Sequence, residues 1–374
     1  MCEKVENKLN KRNGVLFSLF LFQYSLTIPL MSYMSSSIIV GTTSLMITAI
    51  LIYYNIKTKF SIRRIVFPMV MFIVVFVKAM LDFESAIALI EHYCMFILPS
   101  SVMVFFEFDR ETFFKTSYKL AALNFAILLF NPFMSGYNYM RFGYGMVLSI
   151  IFLYLALKQE CIEDKKIKAA RLAMLIIGAV ELFLYGARGC MISVALFYVL
   201  YRFLIHREKP YQNLFITGCM ALLLVNVSGI VDLAYELSRR IGLGSYAIAK
   251  YRMQLHSGWE VASSGRDALY QESIRKIKQH PFIGNSIGES LRDGEYVHNL
   301  FLQVGQDLGV IMLGVLVIIL IQVLFKIFSK KTNLEDRLLL CILVSVSLGR
   351  LMFSSTLWKR PEFWMMLAFF FSLT

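Results

Sequence analysis

The chain has 374 residues, of which 58% are hydrophobic and only 17% are charged, whereas charged residues make up roughly 25% of a soluble globular domain. This composition excludes a separate soluble domain and predicts one integral membrane domain over residues 1–374, of the all-α polytopic class. The formal net charge of +13 indicates Lys and Arg in loops that face anionic membrane lipid rather than a nucleic-acid partner.

The N-terminal segment carries Lys4, Lys8, Lys11 and Arg12 ahead of an apolar run that begins at Val15. This pattern is similar to a signal peptide. No small-residue cleavage site follows it, so we interpret the run as a first, uncleaved transmembrane helix.

Apolar runs of roughly 20 residues, the length that crosses a bilayer, recur along the chain and indicate about 12 transmembrane helices. The short gap at 186–189 predicts a helical hairpin, and the last run is short. The predicted spans cover 15–33, 37–54, 65–81, 86–106, 113–131, 143–157, 172–186, 189–205, 212–231, 298–325, 338–356 and 361–374.

The distribution of Lys and Arg predicts the topology of a multi-pass protein of the plasma (inner) membrane. With a cytoplasmic N-terminus, basic clusters near 57–64, 158–171, 202–209 and 326–337 all fall on the cytoplasmic side. The C-terminus is then cytoplasmic as well. The exception is the pair Lys359–Arg360, which falls on the outer side.

One connection, residues 232–297, is far longer than the others and falls on the outer face. A loop of this length in a compact protein is usually functional or disordered, and we expect short helices within it. Ser264 is placed to cap one such helix, with Tyr270, Ile274 and Ile277 on its apolar face. A basic amphipathic helix of this kind is expected to lie along the membrane interface.

Arg188 lies between two apolar runs at the outer face and is flanked by Gly186, Ala187 and Gly189. An arginine near hydrocarbon costs roughly 2.5–3.5 kcal/mol on insertion scales and is a functional hypothesis by default. A guanidinium binds phosphate oxygens bidentately, and neighbouring glycines let a phosphate approach the backbone. The alternative is an arginine that anchors the hairpin at the lipid headgroups.

Arg266 opens the helix of the long loop, where a positive charge opposes the helix dipole. Anion binding explains this placement, because helix amides and a guanidinium would converge on one phosphate. An ordinary solvated charge is the alternative. Arg275, on the basic side of the same helix, is a further candidate for substrate binding.

His298 ends the long loop, just before an apolar helix that begins at Leu300. Histidine is the side chain best matched to general-base catalysis near neutral pH. A simple polar end to the helix is the alternative. Asn299 and Gln303 are candidates for orienting the imidazole or for binding sugar hydroxyls.

Glu91, His92 and Glu181 are ionisable residues inside predicted spans. They are candidates for a proton relay, as in a transporter, but pairing with other polar groups of the bundle is the favoured interpretation. Glu181 precedes Arg188 by about two helical turns and shares its helix face.

The sequence predicts neither a metal nor another cofactor. Asp82 with Glu84, and Asp293 with Glu295, are acidic pairs of a kind that holds Mg²⁺ or Mn²⁺, but the pattern is common by chance. The six cysteines are scattered and include no Cys-x-x-Cys. No Walker motif, no GxGxxG after a strand and no HExxH is present, so a nucleotide-driven reaction is not expected.

The order and spacing of several motifs in the second half of the chain, about 175–325, resemble the O-antigen polymerase/ligase superfamily, the Wzy-type polymerases and WaaL-type ligases of bacterial envelopes. The matching residues are Ala187-Arg188-Gly189, Gly265-Arg266-Asp267, His280-Pro281, Ile283-Gly284, His298-Asn299-Leu300 and Gly309.

This resemblance implies a metal-independent glycosyl transfer on the outer face of the membrane, from undecaprenyl diphosphate to an acceptor hydroxyl. Arg188 and Arg266 would hold the diphosphate, and His298 would take the proton of the acceptor. A polymerase of O-antigen or capsule polysaccharide would use another lipid-linked repeat unit as acceptor, with a chain-length regulator and a flippase as partners.

Two alternatives stay open. A ligase would transfer the glycan to a different glycolipid. A flippase or other transporter would show internal repeats and ionisable residues deep in broken helices.

Overall fold

The computed structural model describes residues 2–58, 63–81, 83–159, 164–257, 266–285 and 297–373. Every regular element in these ranges is a helix, and none is a strand. The α-helices are α1 Cys2–Leu26, α2 Ser36–Asn55, α3 Arg63–Leu81, α4 Phe83–His92, α5 Leu98–Val102, α6 Arg110–Leu128, α7 Tyr139–Gln159, α8 Lys165–Tyr185, α9 Arg188–Ile205, α10 Pro210–Val225, α11 Val227–Arg240, α12 Tyr246–His256, α13 Arg266–Gln279, α14 Leu300–Phe328, α15 Leu334–Leu351 and α16 Pro361–Ser372.

The all-helical prediction is confirmed, and so is a membrane-embedded character at the level of apolar helices. Within the described ranges, eight helical stretches are long and apolar enough to cross a membrane. They are Glu6–Ser32, Ser36–Asn55, Arg64–Leu81, Ser85–Val102, Arg110–Phe133, Tyr139–Lys158, Arg188–Ile205 and Leu300–Phe328. The finer count of about 12 spans stays a prediction.

Helix bounds agree with the sequence at one junction and differ at another. α8 ends at Tyr185 and α9 begins at Arg188, as the predicted hairpin requires. The predicted span 212–231, in contrast, is divided at Asn226, which separates α10 from α11. Asn226 donates a side-chain hydrogen bond to the Leu222 carbonyl at 2.9 Å, and this local competition for a backbone acceptor favours the end of a helix.

In the described part of the long loop, residues 232–257 and 266–285, the structure has short helices: the end of α11, then α12 and α13. On α13, Ile274 of the predicted apolar face is exposed, whereas Ser273 is fully buried, and the expectation that this face lies along the membrane interface stays a prediction. Ser273 Oγ donates to the Leu302 carbonyl at 3.5 Å, and a Cβ on Gly305 would lie 3.1 Å from the Ile277 side chain. The surface of α13 that packs against α14 is therefore centred on Ser273, a small residue that lets the two helices approach closely.

Contacts within the chain divide it into two compact units, Met1–Leu120 with Tyr270–Thr374 (unit 1) and Ala121–Leu269 (unit 2). The expectation of a single membrane domain stays a prediction. Unit 1 has an aromatic core in which the Phe17 ring stacks on Phe108 at 4.4 Å and meets the edge of Phe113 at 5.4 Å. α15 and α16 are buried along almost their whole length in this unit.

α14 of unit 1 is interrupted at Gly309, whose φ of 84° lies in the left-handed region that favours glycine. Residues 280–285, which follow α13 and which we name the docked turn, pack on this interruption. Gly284 has a φ of 76°, and a Cβ there would lie 2.6 Å from backbone atoms of Asp307 and Leu308. A Cβ on Gly309 would collide with the Phe282 carbonyl. Only glycine therefore allows this backbone-to-backbone contact.

In unit 2, α7 packs against both α8 and α9. Its Gly143 faces the α8–α9 junction so closely that a Cβ would lie 2.6 Å from the Cys190 sulfur and 3.0 Å from the Ala187 nitrogen. Gly178 of α8 lies beside Phe125, and a Cβ on this glycine would be 3.5 Å from the aromatic ring. Small residues thus let these helices approach closely, as is usual for helices packed within a membrane.

Candidate functional site

The α8–α9 junction holds Arg188 at the first position of α9. Gly186 and Ala187 are both extended, with ψ of 163° and 147°, and the chain turns between two helices in these two residues. A Cβ on Gly186 would lie 2.5 Å from the Leu182 carbonyl oxygen. The small residues around Arg188 are therefore explained by helix packing, whether or not a phosphate also approaches them.

The Arg188 side chain is half-buried and stacks on an aromatic ring. Its guanidinium carbon lies 5.3 Å from the centroid of the Tyr251 ring, within the range of a cation–π contact. In the part of the chain that the structure describes, no carboxylate pairs with Arg188 and no hydrogen bond engages its guanidinium. A partly buried guanidinium with its N–H edges uncommitted is suited to an anionic ligand.

Arg266, at the first position of α13, lies near enough to Arg188 for the two positive charges to interact. Both residues belong to unit 2, so the structure brings together the two arginines that the sequence singles out. Like charges placed close together repel each other, and a bound anion would relieve that repulsion. Ser264, the predicted cap of this helix, and Gly265 lie outside the described residues.

α12 is fixed to the α8–α9 junction by two hydrogen bonds and begins with a cap. Ser245 Oγ donates to the Leu184 carbonyl, and Tyr185 Oη donates to the Leu243 carbonyl at 2.9 Å. Ser245 also caps α12 by accepting from the Ile248 amide at 3.2 Å. This attachment places Tyr251 over Arg188.

A second cation with aromatic neighbours lies on α12. Lys250 Nζ is 3.4 Å from the Tyr139 hydroxyl and lies 5.7 Å and 5.8 Å from the ring centroids of Tyr139 and Tyr246. Burial raises the pKa of the Tyr251 hydroxyl, which the Arg188 charge partly offsets, so the hydroxyl stays protonated and can donate. Sequence reasoning missed these residues, although the i, i+4 spacing of Tyr246 and Lys250 is a usable signal.

Arg275 forms an ion pair within its own helix. On the part of α13 that belongs to unit 1, it donates to both oxygens of Glu272, at 2.8 Å and 2.6 Å. The side chains are exposed, with relative accessibilities of 60% and 45%, so the pair contributes little to stability. The binding of substrate by Arg275 stays a prediction.

His298 adopts a backbone conformation that is uncommon for a residue with a side chain. Its φ is 53°, and left-handed strain of this kind costs on the order of 1–3 kcal/mol and recurs at functional sites. The next residue, Asn299, caps α14 by accepting from the amides of Phe301 and Leu302 at 3.0 Å and 3.2 Å. His298 is thus held at a sharp turn into the helix, in unit 1, and its membership of a common site with the arginines stays a prediction.

Gln303 is buried and committed to other protein groups. Its Nε2 donates to the Thr356 hydroxyl at 2.6 Å and to Asp307 at 3.3 Å, and its Oε1 accepts from the Leu357 amide at 3.1 Å. Trp358 Nε1 donates to the same Asp307 carboxylate at 3.0 Å. This network ties α14 to the α15–α16 connection, so a sugar hydroxyl would have to displace an internal partner of Gln303.

Lys78 is a buried residue that sequence reasoning missed because it lies in an otherwise apolar run. Its ammonium donates to the Ile283 carbonyl and, at 3.4 Å, to the Asn285 carbonyl. The backbone of the docked turn therefore solvates a charge on α3. The signal is present in the sequence, since a lysine inside a predicted span is rare.

The sequence favours the pairing of Glu181 and His92 with other polar groups of the helix bundle, but each has a buried side-chain atom without a hydrogen-bond partner among the described residues. Glu181 is only 8% exposed, and its Oε2 has no hydrogen-bond partner among the described residues. His92 donates from Nδ1 to the carbonyl of Ala88, at 2.6 Å, in its own helix. A proton relay that uses these residues stays a prediction.

No group of three or more His, Cys, Asp or Glu side chains within the described ranges is arranged to hold a metal ion. Asp82, Asp293 and Glu295, three of the four carboxylates in the predicted acidic pairs, lie outside those ranges. No protein-family model, no curated protein and no solved structure matches the chain.

Proposed function

We propose that the chain is a membrane glycosyltransferase that polymerises lipid-linked oligosaccharide repeat units on the outer face of the plasma membrane. The observation that carries this proposal is the half-buried Arg188, stacked on Tyr251, close to Arg266 and without a carboxylate partner among the described residues. Two arginines in this arrangement suit the diphosphate of an undecaprenyl carrier.

The proposed reaction is a displacement at the anomeric carbon of the donor. The acceptor hydroxyl oxygen forms the new glycosidic bond, the bond from the anomeric carbon to the diphosphate breaks, and the acceptor proton passes to His298. Negative charge grows on the leaving diphosphate, and Arg188 and Arg266 stabilise it because both are already in place. The reaction needs no ATP, since cleavage of the lipid diphosphate bond supplies the free energy.

Aromatic rings beside the arginines support a glycan substrate. Tyr139, Tyr246 and Tyr251 are held around Arg188 and Lys250 by the attachment of α12. Aromatic faces contact the apolar face of a ring while their hydroxyls and neighbouring cations engage polar groups. His298 belongs to the proposal through its strained turn and its resemblance to the family residue.

The test is the glycan profile of cells that lack the gene, complemented with variants, on gels that retain lipid-linked material. Arg188→Ala is expected to abolish long polysaccharide while the protein still accumulates in the membrane. Arg188→Lys is expected to lower the amount of long polysaccharide at least about tenfold, because lysine keeps the charge but lacks the planar guanidinium group. Arg240→Ala, an exposed arginine of the same unit, is the matched control and should leave the ladder unchanged.

The same gels separate the alternatives. Single repeat units with no ladder indicate a polymerase. Long chains that stay on the lipid diphosphate and are never attached indicate a ligase, and units trapped on the cytoplasmic leaflet indicate a flippase. A normal ladder in Arg188→Ala cells would overturn the assignment of the site.

A further inference from the structure

His92 presents a buried acceptor without a donor. The residue is 8% exposed, and its Nε2 has no hydrogen-bond partner among the described residues. Because Nδ1 donates to the Ala88 carbonyl at 2.6 Å, the neutral imidazole carries its lone pair on Nε2. A buried acceptor without a hydrogen-bond partner costs roughly 1–3 kcal/mol of folding free energy, so a ligand that donates a hydrogen bond to it would be favoured.

The helix changes its winding directly after His92. Residues Tyr93–Ile97 form a π-helical turn between α4 and α5, and the Tyr93 hydroxyl donates to the Pro68 carbonyl at 2.9 Å. The imidazole also lies beside Phe96, with ring centroids 5.8 Å apart. π-Helical turns are rare and occur frequently at functional sites, which is an observation independent of the unmade hydrogen bond.

Lys359 brings a positive charge to the same part of unit 1. The 3-10 turn Leu357–Lys359 packs against the π-helical turn Tyr93–Ile97, so the Lys359 charge lies close enough to act on the His92 ring. Lys359 is half-buried, and no hydrogen bond or ion pair engages it among the described residues. Burial and the neighbouring Arg360 both lower the pKa of Lys359, as expected for a partly desolvated cation beside a second cation.

The neighbouring charges are already engaged elsewhere or point to solvent. Glu362 lies 3.7 Å from Arg350 in a buried pair, and Glu91 is exposed. Arg360 donates to the Ser355 hydroxyl, and its guanidinium carbon lies 5.5 Å from the Tyr24 ring. Lys359 and Arg360 are also the two residues that break the positive-inside pattern, so a role beyond topology is needed to explain them.

We propose that His92 and Lys359 form a second binding site, within unit 1, for a small anion that carries a hydroxyl group. The Lys359 ammonium binds the anionic oxygens, the neighbouring positive charge of Arg360 adds to the attraction, and His92 Nε2 accepts a hydrogen bond from the hydroxyl. A sugar acid of a glycan and the glycerol phosphate headgroup of an anionic lipid share this chemistry. The site is independent of the proposed glycosyl transfer, because none of its residues belongs to that assignment.

The first experiment measures binding of two soluble probes to the purified full chain in phosphatidylcholine nanodiscs. Glucuronate carries both the anion and the hydroxyls, whereas cyclohexanecarboxylate carries the anion alone. The wild type is expected to bind glucuronate saturably and more tightly. Lys359→Gln should lower the affinity for both probes by at least about tenfold, while His92→Phe should remove the preference for glucuronate over cyclohexanecarboxylate.

Lys331→Gln, an exposed lysine of the same unit, is the matched control and should bind like the wild type. If His92→Phe does not fold, Lys359→Gln still tests the site, because a half-buried connection tolerates this change. Equal binding by the wild type and Lys359→Gln for both probes would overturn the proposal.

The second experiment identifies the source of the anion. In nanodiscs that contain phosphatidylglycerol, native mass spectrometry is expected to find a retained lipid that Lys359→Gln loses, and glucuronate binding should fall, if the headgroup is the ligand. Unchanged glucuronate binding would assign the site to a glycan acid. The proposal would be overturned if glucuronate binding were not saturable and no retained lipid depended on Lys359.

Discussion

The α8–α9 junction of unit 2 and the Gly309 interruption of unit 1 both place polar groups beside apolar helices, but they treat those groups differently. At the interruption, the ammonium of Lys78 is solvated by carbonyls of the docked turn, and Gln303 has a partner on both amide atoms. At the junction, Arg188 has an aromatic ring and a neighbouring cation but no carboxylate among the described residues. Polar groups that are closed by internal partners stabilise the fold, whereas groups left open are available to a ligand.

The largest effect on folding is expected from Gly309→Ala, which disrupts the contact between the docked turn and the interruption of α14. The φ of 84° disfavours alanine, and its Cβ would collide with the Phe282 carbonyl, so we expect destabilisation by more than about 2 kcal/mol. Thermal unfolding in detergent measures it. Gly314→Ala lies in the same helix with no atom within 4 Å of the added Cβ and should be neutral or slightly stabilising. Equal behaviour of the two variants would contradict the docked turn.

An intermediate effect is expected from Gly143→Ala, which displaces the α8–α9 junction by adding a side chain to the helix packed against it. The added Cβ would lie 3.0 Å from the Ala187 backbone nitrogen and 2.6 Å from the Cys190 sulfur, and overpacking of this kind costs about 1–3 kcal/mol. We expect lower polysaccharide synthesis together with lower stability. Gly218→Ala, with no atom within 4 Å of its Cβ, is the control in the same unit. An unchanged glycan ladder in Gly143→Ala cells would show that the junction tolerates displacement.

The smallest effect is expected from Tyr251→Leu, which removes the ring over Arg188 and keeps an apolar side chain. A cation–π contact contributes about 0.5–2 kcal/mol, so the apparent affinity for the lipid-linked donor should fall severalfold while the unfolding temperature changes little. Synthesis measured against donor concentration separates the two. If the variant lost stability and kept its donor affinity, Tyr251 would stabilise the fold and would not take part in donor binding.

The sequence predicts the elements of both regions better than their contacts. The hairpin at 186–189, the helix of residues 266–279 and the glycines at 284 and 309 are all evident from local pattern. That Gly284 and Gly309 lie in one backbone contact cannot be read from spacing, because the approach depends on how a loop folds back on a helix. The exposure of Ile274 follows from the same packing, since α14 admits the small Ser273 instead.

The charges of the candidate site are predictable from the sequence, whereas its aromatic partners are not. Arg188 stands out because arginine is rare beside apolar runs, and Arg266 stands out because a positive charge at the start of a helix opposes the helix dipole. Tyr251 does not stand out in a tyrosine-rich chain, and its position depends on the attachment of Ser245 to the Leu184 carbonyl. Lys78 escapes notice because one cation hardly changes the mean hydropathy of a span.

The interruption of α14 has a consequence for how this part of the chain opens. The amide of Val310 donates to the Pro281 carbonyl and the amide of Asn285 donates to the Gln306 carbonyl, both at 2.7 Å, so the docked turn supplies hydrogen bonds that a continuous helix would make for itself. Neither segment keeps these bonds without the other. Hydrogen–deuterium exchange should therefore find the Asn285 and Val310 amides exchanging at a common rate, as one cooperative unit, although they are far apart in sequence.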